Sequence, residues 1–299
     1  MSSLAPLFRE LKQKHQASAR SGLVGTEVSG VRFFWASDAI ARAPLLYSAG
    51  IVILGQGYKV GYLGERQFRY DSETYLVLGV PVPFECETHA TADEPLLGIS
   101  VDIDMTVLHE LVARLAGSLG TEESTGEPYA GVEPVRMDEA MMDATARLLR
   151  CMRDPLDSRV LGGAAASEII YRVLRGESGR VLYGLTQHHT AYAAVARALA
   201  RIHRAYRQSL TIDDLAKENA MSISSFHRAF KRVTGDSPLQ YLKKIRLDKA
   251  KGLLVHQKMR VNDAAFEVGY ESASQFSREF KRYFKVPPSE AHTLMNGAA

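Results

Sequence analysis

Two short stretches carry the side chains suited to chemistry, and that chemistry is hydrogen bonding to a polyanion rather than bond making. Ser224, His227, Arg228 and Lys231 fall at helical spacing in the first, and Ser274, Gln275, Arg278, Lys281 and Arg282 in the second. Around them one pattern occurs twice, fifty positions apart: Ser222, Phe226, Arg228, Phe230, Lys231, Arg232 and Pro238 recur as Ser272, Phe276, Arg278, Phe280, Lys281, Arg282 and Pro288. Arginine can fork onto O6 and N7 of guanine and glutamine pairs similarly with adenine, whereas lysine meets phosphates without reading sequence. For Arg228 and Arg278, which share one repeat position, the alternative is a structural ion pair.

The elements that must position these groups follow from the same residues. Each copy predicts a helix begun by Ser222 or Ser272 as N-cap, with two Phe four apart burying one face. Upstream of each lies a shorter helix, over 213–220 behind Thr211 and over 263–268 behind Asn262. In both, small residues four apart (Ala216 and Ala220, Ala265 and Gly269) let two helices cross closely at a tight turn, which makes a helix-turn-helix. Between the copies, Pro238 to His256 predicts one amphipathic helix carrying Lys243 toward phosphate. Its length, about 28 Å at 1.5 Å per residue, suits two recognition helices in major grooves roughly 34 Å apart.

Over about residues 190–294 these features resemble the AraC/XylS family of bacterial transcription regulators. The resemblance rests on Ala216 to Phe230, on Gly235 to Tyr241, on Arg246-Leu247 with Ala250 and Leu253-Leu254, and on Gly269 to Phe276 through Phe280-Lys281 to Pro287-Pro288-Ser289. Ala220 and Lys285 depart from it, since the family often has Gly at both. What the resemblance implies is a sequence-specific regulator whose base-facing residues are Ser224, His227, Arg228, Ser274, Gln275 and Arg278, behind a cupin-like sensor and dimerisation region. The N-terminal arm also resembles, more loosely, a subgroup often linked to alcohol and aldehyde metabolism.

Charge divides the chain in the same way. From Arg197 onward there are 19 Lys and Arg against 10 Asp and Glu, and before it 18 against 24, so only the C-terminal part seeks a polyanion. Arg197, Arg201, Arg204 and Arg207 form a stripe that is either a phosphate contact or a solvated face. Before it, seven β-rich runs (31–36, 45–54, 58–63, 67–70, 74–80, 84–88 and 96–103) predict an antiparallel barrel or sandwich. Phe33, Trp35, Tyr47, Tyr58, Tyr62 and Tyr75, with Phe68 and Phe84, are candidates to line a ligand pocket, core packing being the other role. Cys86 is either an electrophile or redox sensor or a buried inert thiol; no basic residue is near it in sequence.

Helices are expected over 4–18, 105–119, 138–152 and 158–175, the last two with more apolar positions than one seam needs, which suits a subunit interface. Residues 121–135 read as a loop and 177–187 as the join between domains. The expected fold class is therefore α+β: a cupin-like sensor and dimerisation domain over 1–187 and an all-α domain with two helix-turn-helix units over 188–299.

With only Cys86 and Cys151, no signal peptide and no long apolar run, a cytoplasmic protein without a disulfide framework is expected. No Gly-rich phosphate loop, nucleophile elbow, Cys-x-x-Cys pair or cupin histidine motif occurs. The sequence thus points to a transcription regulator, not an enzyme, with no cofactor and no metal; the alternative is a cupin-type metalloenzyme fused to a DNA-binding module. Its expected partners are double-stranded DNA, a small-molecule effector, RNA polymerase and a second copy of itself, with no membrane.

Overall fold

The computed structural model describes residues 3–15, 19–115, 129–187 and 189–297, with side chains to Leu294. After helix α1 (Ala5–Lys14) come strands β1 (Ser21–Gly25), β2 (Val31–Ala36), β3 (Ile40–Tyr47), β4 (Gly50–Gln56), β5 (Tyr58–Leu63), β6 (Arg66–Tyr70), β7 (Thr74–Leu78), β8 (Val82–His89) and β9 (Leu96–Asp102). A tenth, β10 (Val132–Arg136), follows helix α2 (Met105–Arg114). They form two antiparallel sheets, ordered β1-β2-β9-β4-β7-β10 and β3-β8-β5-β6, that face each other as a sandwich. β4 and β9 are buried on both faces because α1 covers the outside of the larger sheet, Phe8 lying against Gly55, where a Cβ would come within 2.0 Å of its ring.

The expected runs become strands, with three differences. Residues 45–54 divide between β3 and β4 at Ser48-Ala49, immediately before Gly50. β1 is a strand not anticipated. β10 is another, in the stretch expected as a loop: it pairs with β7 at the sheet edge, where Pro134 is tolerated because no further strand needs its missing N–H. Residues 121–128, the tail of the helix expected to 119, and the last turn of the one expected to 18 lie outside the described residues.

Helices α3 (Glu139–Cys151), α4 (Pro155–Val160), α5 (Gly162–Arg175) and α6 (Gly179–Thr186) follow. The helix expected over 158–175 is two, and the expected join over 177–187 is α6, with Val181 and Leu182 fully buried between α5 and α7. The surplus apolar positions of α3 and α5 (Met141, Ala144, Leu148, Leu149, Ile169, Ile170, Val173) are buried within the chain, where these helices pack on each other and on α1 and α2. Within α3 to α6 the exposed large apolar side chains sit instead on and just after α4: Leu156, Val160 and Leu161.

The remainder is helical: α7 (Ala191–Ala205), α8 (Ile212–Glu218), α9 (Ile223–Thr234), α10 (Pro238–His256), α11 (Val261–Glu267), α12 (Ala273–Phe284) and a 3-10 segment (Pro288–Gly297). Thr211, Ser222, Ser237 and Ser272 each accept an amide N–H from the first turn that follows. α11 starts at Val261, behind Arg260, which supplies no side-chain cap. The two helix-turn-helix turns match: Met221 N–H donates to Ala216 and Tyr270 N–H to Ala265, both at 3.0 Å. Each turn holds one left-handed residue, Ala220 (φ 54°) and Gly269 (φ 88°), and the second is longer by Glu271.

Burial divides the molecule differently from chain order. One continuous core runs from Leu4 through the sandwich to Val195, Phe226, Phe230, Tyr241 and Ile245, while Leu247, Ala250, Ala265, Phe276, Phe280 and Phe284 form a second. The first helix-turn-helix unit therefore shares its interior with the sandwich, and α10 crosses from one core into the other.

The left-handed turns give opposite expectations. Ala220→Gly relieves a strained alanine and should raise stability by about 0.5–1 kcal/mol. Gly269→Ala puts a Cβ 2.5 Å from the Arg207 carbonyl at a left-handed φ and should cost about 2–4 kcal/mol. Urea denaturation of both variants checks the pair.

Candidate nucleic-acid interface

α9 buries Phe226, Ala229, Phe230 and Val233, which turns Ser224, Arg228, Lys231 and Arg232 to solvent and leaves His227 half-buried. α12 does the same: Phe276, Phe280 and Phe284 are buried and Ser274, Gln275, Arg278, Lys281 and Arg282 exposed. The rings are fixed by edge contacts, Phe230 on Tyr241 and Phe276 on Tyr270, so each polar face has a defined direction. Among the described residues no ion pair or hydrogen bond occupies the Arg228, Arg278, Lys231 or Lys281 side chains, which leaves their donors available.

Lys243 behaves differently from the expectation of a phosphate contact. Its Nζ lies 3.1 Å from Glu279 Oε1, which also accepts from Gln275 Nε2 at 3.2 Å, while Glu279 Oε2 accepts from Tyr270 Oη at 2.8 Å. Burial works against the Glu279 charge, yet the bonds from Tyr270, Lys243 and Gln275 outweigh it and hold its pKa low. Glu279 thus ties α12 to α10 and to the turn before it. Sequence reasoning overlooked it, although it stands where the first copy has Ala229.

The arginine stripe on α7 is mostly structural. Arg197 donates to Asn219 (3.1 Å) and Arg201 lies 3.8 Å from Glu218, linking the end of α8 to α7, while Arg207, just past the end of α7, lies 2.7 Å from Glu267 of α11. Arg246 of α10 donates to the carbonyls of Tyr206 (2.7 Å) and Gln208 (2.9 Å), satisfying the end of α7.

The sandwich meets this assembly at the C-terminal end of α9. Gly131 N–H donates to the Val233 carbonyl at 2.8 Å, a contact that a Cβ at Gly131 would crowd to 2.7 Å. Tyr241 Oη donates to the Pro81 carbonyl at 2.8 Å and lies 2.8 Å from His203 Nε2. Since that hydroxyl hydrogen is already used, His203 donates to it, and burial holds the imidazole neutral by lowering its pKa to about 4.

Within the sandwich the candidate aromatics separate. Phe33 stacks on His15 beneath α1 and on Trp35. Tyr58 stacks on His89 and Tyr62 lies under Arg42, both on the outer face of the smaller sheet. Tyr75 is buried and faces Asp138 and Glu177, its pKa raised chiefly by burial. None of these four lines the interior cavity; the alternation of each strand turns them elsewhere. Phe68 packs on Phe84 and Tyr70 in the core. Trp35 does border the cavity, and Tyr47 lies beside it, bonded to Lys59 and Tyr70.

Lys59, which sequence reasoning passed over, is buried with its Nζ inside; its signal was the alternation of β5, which puts Lys59, Gly61 and Leu63 on one face. Cys86 lies on the same inner face, on the neighbouring strand β8, so a basic group is near after all, but burial still raises the thiol pKa. Among the described residues no three His, Cys, Asp or Glu are grouped to hold a metal ion, and no helix is long and apolar enough to cross a membrane.

Comparison with known proteins adds identity to this geometry. Residues 27–181 match the family model described as AraC-type transcriptional regulator N-terminus, and residues 215–293 match a helix-turn-helix domain. The lactose operon transcription activator of Staphylococcus xylosus is 32% identical over 96 residues, 32% of this chain and 34% of that protein. The regulator AlkR of Acinetobacter baylyi is 36% identical over 94 residues, 31% of each chain. The match thus spans about a third of each relative's length. Unsaturated fatty acid bound ToxT from Vibrio cholerae superposes with a TM-score of 0.60 at 13% identity, covering 94% of this chain and 98% of that one, a likeness of fold.

Two outcomes are expected. Glu279→Ala, which strands three donors, should cost about 2–3 kcal/mol in denaturant unfolding. For His203 the folded pKa lies below the unfolded 6.5, so its contribution is present above pH 6.5 and lost as pH falls toward 4. Wild type should therefore lose about 2 kcal/mol more stability between pH 7 and pH 5 than His203→Gln, measured by urea titration at both values.

Proposed function

Because this chain belongs to the AraC-type family of transcriptional regulators, we propose that α9 and α12 enter successive major grooves on one side of its operator, held apart by α10. In that arrangement Arg228 and Arg278 read guanine, Ser224, His227, Ser274 and Gln275 contribute base contacts, and Lys231, Lys281 and Arg282 neutralise phosphates. The observation that carries this reading is the pair of exposed arginines at one repeat position, neither held by any group among the described residues, in a region whose charge balance is positive. Lys243 serves by fixing α12 through Glu279.

The reading assigns sensing to residues 1–187 and DNA binding to residues 188–299, with a small molecule in the sandwich biasing how the two dock. An effector can shift that balance only by its differential affinity for the two arrangements. Leu156, Val160 and Leu161, exposed around α4, support self-association of the sensor as a homodimer. RNA polymerase is the partner through which DNA-bound protein would act on transcription.

Footprinting on the DNA upstream of its own gene should give two protected patches about one helical turn apart on one face. Arg228→Ala should cost about 1–3 kcal/mol on that site and less on random duplex. Equal losses on both would make Arg228 a phosphate contact, and a single short patch would overturn the two-groove arrangement.

A further inference from the structure

Lys59 is an ammonium group with nowhere to place its charge. It is 3% exposed, and its one hydrogen-bond partner among the described residues is Tyr47 Oη at 3.2 Å; the rings of Phe34 and Tyr47 stand 5.4 and 5.6 Å away. The nearest acids in the sheet, Glu85 and Glu87, belong to the outer face of β8, where Glu85 pairs with Arg42 and Glu87 with His89. Tyr47 bonds to Tyr70, Tyr70 contacts Cys86, and Thr88 stands opposite Lys59 on β8, so the polar side chains of this interior are hydroxyls and a thiol, none of them an acid. Desolvation disfavours the ammonium, and the net rise of its pKa comes from Tyr47 and Cys86, which attract it as charges only when ionised; burial raises the pKa values of both, which keeps them protonated near neutrality. A buried cation without an anion is costly, and an anion delivered to it relieves that cost.

The cavity that Lys59 borders is otherwise mostly apolar, lined by Phe34, Ile40, Leu45 and Leu96, with Cys86 at its side and Thr88, uncharged, opposite Lys59. Its free volume is about 20 Å³, room for one water-sized group. Anything larger must push a wall outward, and the wall free to yield is β3. That strand is the edge of its sheet, its register is broken between Ile40 and Ala43, and much of it is only half-buried. β3 also touches α12 and the 3-10 segment of the second helix-turn-helix unit.

We propose that the sandwich interior receives a small organic carboxylate, bound by Lys59 and Tyr47, and that its entry displaces β3 and so alters the docking of α12. This rests on the reading of the chain as an effector-responsive DNA-binding regulator and gives the effector its chemical class. The carboxylate accepts from Nζ and from the Tyr47 hydroxyl, its apolar part lies on Phe34, Leu45 and Leu96, and the outward step of β3 supplies the differential affinity that regulation needs.

The test uses the full chain, with propionate, hexanoate and benzoate as probes and their primary amides as neutral controls. Calorimetry and thermal shift should show at least one acid binding and raising Tm, with its amide at least tenfold weaker. Lys59→Met should abolish the preference for acid over amide while, without ligand, unfolding no lower than wild type. Tyr47→Phe keeps the ammonium and should weaken the acid several-fold, which decides the matter if Lys59→Met does not fold. Binding of no acid, equal binding of acid and amide, or unchanged acid affinity in both variants would overturn the site. The acid that binds should also change affinity for the preferred DNA in wild type and not in Lys59→Met; binding without that change removes the coupling through β3. Intact DNA site preference with no acid bound would remove this inference alone and leave the regulator reading standing.

Discussion

The fastening of the C-terminal end of α9 to the sandwich governs the rest of the molecule. A helix ends with carbonyls that its own chain does not satisfy, and one of these, on Val233, is taken by the backbone N–H of Gly131 from the sensor half. Beside it Tyr241, at the start of α10, reaches the Pro81 carbonyl and is steadied by His203. These few polar contacts lie at the edge of a continuous apolar core that joins sandwich and first helix-turn-helix unit. Water can satisfy the same groups when the seam opens, so separation costs mainly the packing.

From that seam comes an asymmetry between two units of nearly the same sequence. The first is built into the sensor, and Phe226 and Phe230 belong to the same interior as Phe33 and Ile51. The second has its own core and is held by α10, by Arg246 on the end of α7 and by the Glu279 cluster. It meets the sandwich through β3 and β1 rather than through a shared interior. A sensor so arranged commands the two recognition helices by different means: one by direct attachment, the other through an edge strand and a charged knot. The 19 residues of α10 link them, and its passage between cores makes it the element along which strain at one unit reaches the other.

What could be read from sequence follows from how local each cause is. The paired helix-turn-helix units were legible because caps, small-residue turns and phenylalanines four apart act within one or two turns of chain; Ser222 and Ser272 cap as their spacing requires. The strands were legible as runs, while their faces were not: Phe33 and Phe34 differ only in which side of β2 they leave, and only the sheets' placement decides that Phe34 meets Lys59 and Phe33 meets His15. β10 escaped notice because Pro134 is a strand breaker everywhere but an edge. Glu279 and Lys59 were missed for a shared reason. Each owes its role to partners brought from other elements; the alternation of β5 put Lys59 on the face of Leu63, but nothing local says which face of a strand is the inner one.

The central physical claim is that one helix-turn-helix unit is continuous with the sensor and the other opens by itself. Native-state hydrogen exchange measures this directly, since amides of one cooperative unit share one opening free energy. Amides of α9 and of β9 are expected to exchange with a common, high opening free energy, and those of α12 with a distinctly lower one. A result in which α9 and α12 open together, separately from β9, would contradict the account.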